Sequence, residues 1–355
     1  MRIQLYKPDS GQQYDITGAC ATVTWKGSAS SACRTLDFAY VNDPYDPTIK
    51  IPAVSVGDLV SLEDEKEGEV FYGQIFGIEK SSDIGTITFT ATDPMKHLLE
   101  SKGQYNFQNV TPEAVAMQVA ADVQFPLRYA NGVPSIYITG VNIASMICDQ
   151  MSLYDIIMAA YTKAHKITGD KYFAMIYKRG LGVYKAEWIV NGFTLSDAAN
   201  ITASNFSESM DAIVNRVKVY DDKGNQIGEV NDTDSAGKFG IFQNIYKQEE
   251  GVDPTTAATA MLKSKPEQKI KINAIGDINC LSCYYVMLHD AATGLSGRYW
   301  ISSDSHTWQN GIHTMELELT FDAIMNTKEI KEEDKDKKSK SKKSKSKSTK
   351  KEAST

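Results

Sequence analysis

Of 355 residues, 42% are hydrophobic, enough to build the cores of two or three domains. The net charge of −7 is unevenly placed: from Lys328 onward 12 lysines face 6 acids, so the body before them carries −13 and is poorly suited to gripping nucleic-acid phosphates. Five scattered cysteines (Cys20, Cys33, Cys148, Cys280 and Cys283) argue against a disulfide scaffold and fit free thiols in a reducing cytoplasm. The polar start at Met1-Arg2-Ile3-Gln4 predicts no signal peptide, and no apolar run predicts a membrane span.

In chain order, strands are predicted over 21–25 and 35–41, separated by a small-residue loop around Gly27, Ser28, Ser30 and Ser31. Residues 42–47 (Asn-Asp-Pro-Tyr-Asp-Pro) form a turn-rich connection. A three-stranded meander over 58–93 completes an antiparallel domain ending near Gln104. Thr111-Pro112 then caps a helix, with Val115, Met117, Val119 and Val123 as its buried face. Ser152 begins a second helix, in which Leu153, Ile156, Ile157, Ala160 and Tyr161 form one apolar stripe and Gly169 is the stop. A hairpin of 172–177 with 183–188 turns around Gly180-Leu181-Gly182. Strands return at 213–220, 226–230 and 270–274, with a short Ala-rich helix over 254–264.

A second meander occupies 284–322, where Met315, Leu317, Leu319 and Phe321 alternate with Thr314, Glu316, Glu318 and Thr320, giving one dry and one wet face. Asn310-Gly311 supplies its last turn. The two meanders match as an internal duplication. Val60, Leu62 and Asp64 correspond to Val286, Leu288 and Asp290; Gly68 with Phe71 to Gly297 with Trp300; and Thr86, Ile87, Thr88 and Phe89 to Thr314, Met315, Glu316 and Leu317.

Candidate chemistry is sparse. Cys280 and Cys283 have zinc-knuckle spacing, but there is no second CxxC, and on a strand the two would face opposite sides. Asp304, Ser305 and His306 are sequence neighbours and cannot converge as a triad from one strand. The stretch 231–237 begins like a calcium loop, but its twelfth position, counted from Asp232, is Gln243 where a bidentate acid is needed. No cofactor, metal or catalytic site is predicted, and 18 Tyr, 12 Phe and 4 Trp point to cores and protein interfaces.

GRYWISSDSHTWQNGIHTMELEL (297–319), WKGSASSACRTLDFAYV (25–41), VGDLVSLED (56–64) and FYGQIFGIEKSSDIGTITFTATDPMKHLLESKGQYNF (71–107) together resemble phage tail and baseplate hub proteins of the XkdQ/YqbQ kind, relatives of the late-control-D hubs of contractile tails and phage-derived bacteriocins. The resemblance spans about residues 15–325. It implies a mainly β fold with an α+β insertion: two similar antiparallel, β-barrel-like, tube-type domains (1–104 and 201–326) separated by a small α+β domain (105–200). The Lys/Ser-rich segment 327–355 is predicted to be disordered.

The implied function is structural and not enzymatic: a baseplate hub joining the six-fold tail tube to a three-fold spike. Its implied partners are two further copies of itself in a homotrimer, the tail tube protein, the spike, baseplate wedge proteins and the tape-measure protein. The body is expected to bind no membrane and no specific nucleic acid. The protein would reside in a virion or phage-like particle after synthesis in the bacterial cytoplasm. Trp300, His306, Trp308, His313, Phe71 and Phe76 are the expected hairpin-fixing or assembly residues. The alternative is a particle-associated peptidoglycan hydrolase, for which no segment offers the required residues. A third reading is a carbohydrate-binding β protein using Trp25, Trp188, Trp300 or Trp308.

Overall fold

In the computed structural model, residues 1–41, 52–80, 85–249 and 253–330 are described. The connection expected at 42–47 and the Lys/Ser-rich segment from 331 onward lie outside them. Two hairpins open the chain, β1 (Arg2–Lys7) with β2 (Gln12–Asp15), then β3 (Cys20–Ser28) with β4 (Ser31–Val41). Ser28 pairs with Ser31, so the β3–β4 turn is only Ala29-Ser30. Gly27 therefore lies inside β3 and not in a loop. A Cβ there would run into the guanidinium of Arg34, so the glycine makes room for a buried side chain. The first meander follows as β5 (Leu59–Asp64), β6 (Gly68–Lys80) and β7 (Thr86–Thr92), and ends in the short helix α1 (Met95–Glu100).

The segment after it pairs β8 (Lys102–Val110) with β11 (Ile143–Ser152), enclosing α2 (Pro112–Asp122) and a minimal hairpin, β9 (Tyr129–Ala130) with β10 (Val133–Pro134). The Thr111 hydroxyl caps α2 by accepting from the Ala114 amide at 3.4 Å. Its buried face is Val115, Ala116, Val119 and Ala120, while Met117 and Val123 are exposed. The larger apolar residues misled the expectation, because small alanines are what let α2 approach its neighbours.

In α3 (Leu153–Thr168) all five stripe residues are buried; Ser152 caps it through the Asp155 amide at 3.0 Å, and Gly169 stops it at φ +77°. The next hairpin, β12 (Tyr172–Tyr177) with β13 (Gly180–Lys185), turns at Lys178-Arg179, both at positive φ, and not at the glycines. Gly180 sits in the strand, where a Cβ would lie 2.5 Å from the Arg128 amide nitrogen.

The last third begins with β14 (Ile189–Ser196) and β15 (Ile201–Ser209). A separate compact unit, residues 207–268, is then inserted. It contains β16 (Arg216–Tyr220), β17 (Gln226–Asn231), α4 (Thr233–Phe239), β18 (Gln243–Lys247) and α5 (Pro254–Ala260), with strand order β17-β16-β18 over a core of Val217, Val219 and Ala258. The acidic run weighed as a calcium loop is the start of α4, where the Asp232 carboxylate accepts from the Ser235 amide at 2.9 Å. The chain then completes β19 (Glu267–Ile275), β20 (Tyr285–Asp290), β21 (Leu295–Gln309) and β22 (Ile312–Thr320).

Strand order reveals a repeat longer than the two meanders. The first copy runs β1-β5-β6-β7-β4-β3 and the second β14-β20-β21-β22-β19-β15, the same permutation of chain order. The middle strands are interrupted at the same place: the register slips between Ile75 and Gly77 against β7, and between Ile301 and Ser303 against β22. Each slip is a one-residue bulge, at Phe76 and at Ser302. Beyond it Ile87 and Met315 hold the same place, as expected.

One correspondence is corrected. Leu62 pairs with Phe71, and Leu288 pairs with Gly297, so Gly297 occupies the place of Phe71. The partner of Gly68 is Gly294; the two turn at φ +73° and +72°. The copies also differ, since β1 joins β5 antiparallel while β14 joins β20 in parallel.

The two copies are not separate barrels. β3 of the first pairs with the second half of β21, fusing both into one 13-stranded sheet whose order, among the described residues, does not close on itself. The main cores lie within the first copy, within the second, and around α3. Residues 327–330, expected to be disordered, lie against α3: the Lys328 amide donates to the Thr162 hydroxyl at 3.0 Å, its ammonium meets Asp155 at 3.0 Å, and Ile330 packs on the core around α3.

Candidate functional site at the junction of the repeats

Arg34 occupies the inward parity of β4, in series with Leu36, Phe38 and Tyr40. An arginine there must find a buried partner or the strand does not pack. Its partner is Asp304 on β21, in the other copy. The guanidinium makes a two-pronged contact with the Asp304 carboxylate, one arm 2.9 Å long, and both side chains are nearly or fully buried. Asp304 also accepts from the Ser282 amide at 2.6 Å, and Arg34 donates to the Ser282 hydroxyl at 3.3 Å. The guanidinium carbon stands 4.2 Å from the centroid of Trp25 on β3. On its other side the Arg34 amide donates to the Asp93 carboxylate at 3.0 Å, and that carboxylate also accepts from the Met95 amide.

Two residues along β21, His306 shares the inward face. Its Nε2 lies 3.1 Å from the Cys280 carbonyl, which only accepts, so Nε2 carries the proton. Its Nδ1 therefore accepts, and the Nε2–H of His313 on β22 donates to it at 3.1 Å. The His313 ring stacks on Trp308, with centroids 4.2 Å apart. Gly276 packs against the other side of that ring, leaving no room for a Cβ, and its amide donates to the His313 carbonyl at 2.9 Å.

Burial alone would push the Asp304 carboxyl up, but the charge and hydrogen bonds of Arg34 hold it below the usual carboxylate range. Burial pushes His306 down, helped by the Arg34 charge against the opposing pull of Asp304. Burial and the neighbouring His306 take His313 down to about 4. Asp93 goes the other way: burial raises it to about 6 despite the hydrogen bonds it accepts. The Cys283 thiol is pushed up to about 12 by burial, and Cys280 is also raised by burial. At neutral pH the cluster is thus one charged pair, the mostly ionised Asp93 carboxylate, two neutral imidazoles and protonated thiols. Its polar groups face one another inside the sheet, and Ser305 points to the opposite face, so the arrangement holds strands together and has no nucleophile aimed at a base.

The expected site residues fall into three places. His306, Trp308 and His313 converge here, across the β21–β22 hairpin. Trp300 is fully buried elsewhere, edge-on to Tyr285 at 4.9 Å and near Phe173. Phe71 lies in the core of the first copy, while Phe76, 40% exposed, sits at the bulge of β6. The sequence reading missed Arg34, Asp304, Ser282 and Trp25 as one unit. The signal was there: Arg34 and Asp304 each interrupt an inward apolar series. Cys280 and Cys283 lie in a turn, not on a strand, with Cys283 at φ +72°, and they pack into different cores. Among the described residues no three of His, Cys, Asp and Glu are grouped to hold a metal ion.

This junction falls inside a longer match. The model of the family described as YQBQ-like matches residues 23–320, from within β3 to the end of β22, which takes in all of the second copy, the first copy apart from β1 and the start of β3, and everything between them. The chain belongs to the YQBQ-like family. Within it, YqbQ of Bacillus subtilis (strain 168), itself uncharacterized, is 28% identical over 276 residues, covering 75% of this chain and 82% of that protein. XkdQ of the phage-like element PBSX from the same organism is 26% identical over 307 residues, covering 84% and 91%. Among solved structures, a 43 kDa tail protein of prophage MuSo2 from Shewanella oneidensis has a TM-score of 0.64 at 14% identity, covering 90% of this chain and 98% of that one. At that identity the likeness is one of fold. It extends over this YQBQ-like chain almost end to end.

Proposed function

We propose that this chain is the structural hub of a phage or phage-like contractile tail baseplate, joining a six-fold tail tube to a three-fold spike as a homotrimer. The observation that carries the reading is the repeat: one chain presents the same six-strand order twice, joined where β3 pairs with the second half of β21. Three such chains present six similar sheets, which meets a six-fold tube on one side while keeping three-fold symmetry for a spike on the other. Kinship with a protein of the phage-like element PBSX and a fold shared with a prophage tail protein support the setting.

In this reading the two copies act as tube-type domains that complete a barrel-like wall only in the assembly. The division into 1–104, 105–200 and 201–326 describes how the work is shared, except that β14, at the end of the middle segment, adds a strand to the second copy. Tube, spike, wedge and tape-measure proteins are the partners, and the particle is where the chain resides. Trp300, His306, Trp308, His313 and Phe71 stiffen the hairpins from inside, and Phe76 faces a partner. The function is mechanical and not catalytic. Electron microscopy of the particle tests it: three copies in a ring at the distal end of the tube are expected. One copy, or six whole copies, would overturn the reading, as would a cleared band on a peptidoglycan zymogram.

A further inference from the structure

Matching the two copies strand for strand leaves one difference in pairing. In the second copy, β21 carries β20 along its first half and β3 along its second, from Ser303 to Gln309. In the first copy, β6 carries β5 along its first half, from Gly68 to Gln74. Its second half, Gly77 to Lys80, pairs with β7 on one side, and among the described residues no strand lies on the other. That bare stretch is the counterpart of Ser303–His306, the first part of the stretch β3 covers on β21. Conversely, among the described residues β15, the counterpart of β3, ends the sheet with β19 alone beside it.

We infer that β15 of one chain pairs antiparallel with the second half of β6 of the next, repeating between chains the β3–β21 junction found within the chain. The inference rests on the hub reading for the number of copies, and on the repeat alone for the edges.

The geometry supports a second copy of this chain as the occupant. The bulge that admits β3 beside β21 exists at the same step of β6: the Ala29 amide, in the β3–β4 turn, donates to the carbonyl of bulge residue Ser302 at 2.8 Å, and Phe76 is the matching bulge residue. Phe76 is also a large apolar side chain left 40% exposed beside the bare edge. Unpaired edges invite strand addition, and here one chain supplies both the edge and the strand that fits it. The two surfaces differ, so the contact is heterologous, and repeated contacts close into a ring when the rotation permits. The relation between the copies inside the chain already supplies one such step.

The test uses the full chain. Protein carrying Glu79→Cys is mixed with protein carrying Ser207→Cys, or in a second arm Asn205→Cys so that either register is met, then oxidised at high concentration and resolved without reductant. All three positions are exposed. A covalent dimer in a mixture and none in any variant alone is the expected result, with wild-type protein reporting background from the five native cysteines. The same samples are imaged by negative stain. Rings without a mixture-specific dimer overturn the edge assignment and leave the hub reading standing, and neither rings nor dimer overturns both. A dimer from Glu79→Cys alone means a self-complementary contact and also overturns the inference.

Discussion

Removing Arg34 tests whether the two copies are locked together by one buried ion pair. Both side chains are almost wholly buried, so Arg34→Met leaves the Asp304 carboxylate charged, dry and without its cation. Breaking a buried pair from one side costs about 3–5 kcal/mol. The Trp25 face loses its cation at the same time, adding about 1 kcal/mol. In the double variant Arg34→Met with Asp304→Asn, the charge is gone and the asparagine oxygen still accepts from the Ser282 amide, so more than half of the loss is expected to return. Urea unfolding followed by tryptophan fluorescence reads this, because the Trp25 ring lies against the Arg34 guanidinium. If Arg34→Met is nearly neutral, or the double variant is no better than the single, the junction is held by apolar packing and the ion-pair argument fails.

Acid is expected to weaken the same region. Folding holds His313 and His306 below their ordinary value of 6.5, so their contribution is complete above that pH and is lost as pH falls below it, for His313 toward about 4, by about 1–3 kcal/mol. Asp93 opposes this, since its raised value of about 6 makes it stabilise progressively below that pH; melting curves from pH 7 to 4.5 in an Asp93→Asn background isolate the histidines, and a flat profile there refutes their assignment. Leu317→Asp, on the dry face of β22, should destabilise by about 3 kcal/mol or more, against well under about 1 for Glu316→Ala, and equal losses in denaturant would mean the facing is wrong. Gly276→Ala should cost about 1–3 kcal/mol by forcing its methyl into the His313 ring, visible as a lowered melting temperature. Truncation after Ile330 should leave the melting temperature unchanged, whereas truncation after Asn326 should lower it, because Lys328 and Ile330 are then lost from α3.

The parts of the fold legible in the sequence were those set by local periodicity and caps. The alternation Met315, Leu317, Leu319 gave the last strand its facing, although Phe321 lies past the strand end and is exposed. Thr111, Ser152 and Gly169 marked helix ends by the hydrogen bonds they make. Glycines were less legible, because the same residue serves turns and tight packing. Gly27 and Gly180 signalled loops but sit in strands, where a side chain or a backbone crosses at close range. The junction was hardest to see. Arg34 and Asp304 are 270 positions apart, and only strand order brings β4 within reach of β21. The repeat was visible as a meander, but its outer strands were hidden by unequal intervening segments.

One of those segments has a consequence for engineering. Where the first copy passes from β3 to β4 in two residues, the second inserts residues 210–266, nearly the whole lobe, between β15 and β19. Both ends of the lobe therefore leave the sheet from the two legs of what is elsewhere a tight hairpin. Closing a loop costs only a further ~0.6 kcal/mol for each doubling of its length, so the sheet is nearly indifferent to what is spliced there. This position is a natural graft point: a tag, a fluorescent domain or a foreign binding module exchanged for the lobe should leave the double repeat folded, while a minimal chain bearing an Ala-Ser turn in its place would be the smallest form of the scaffold.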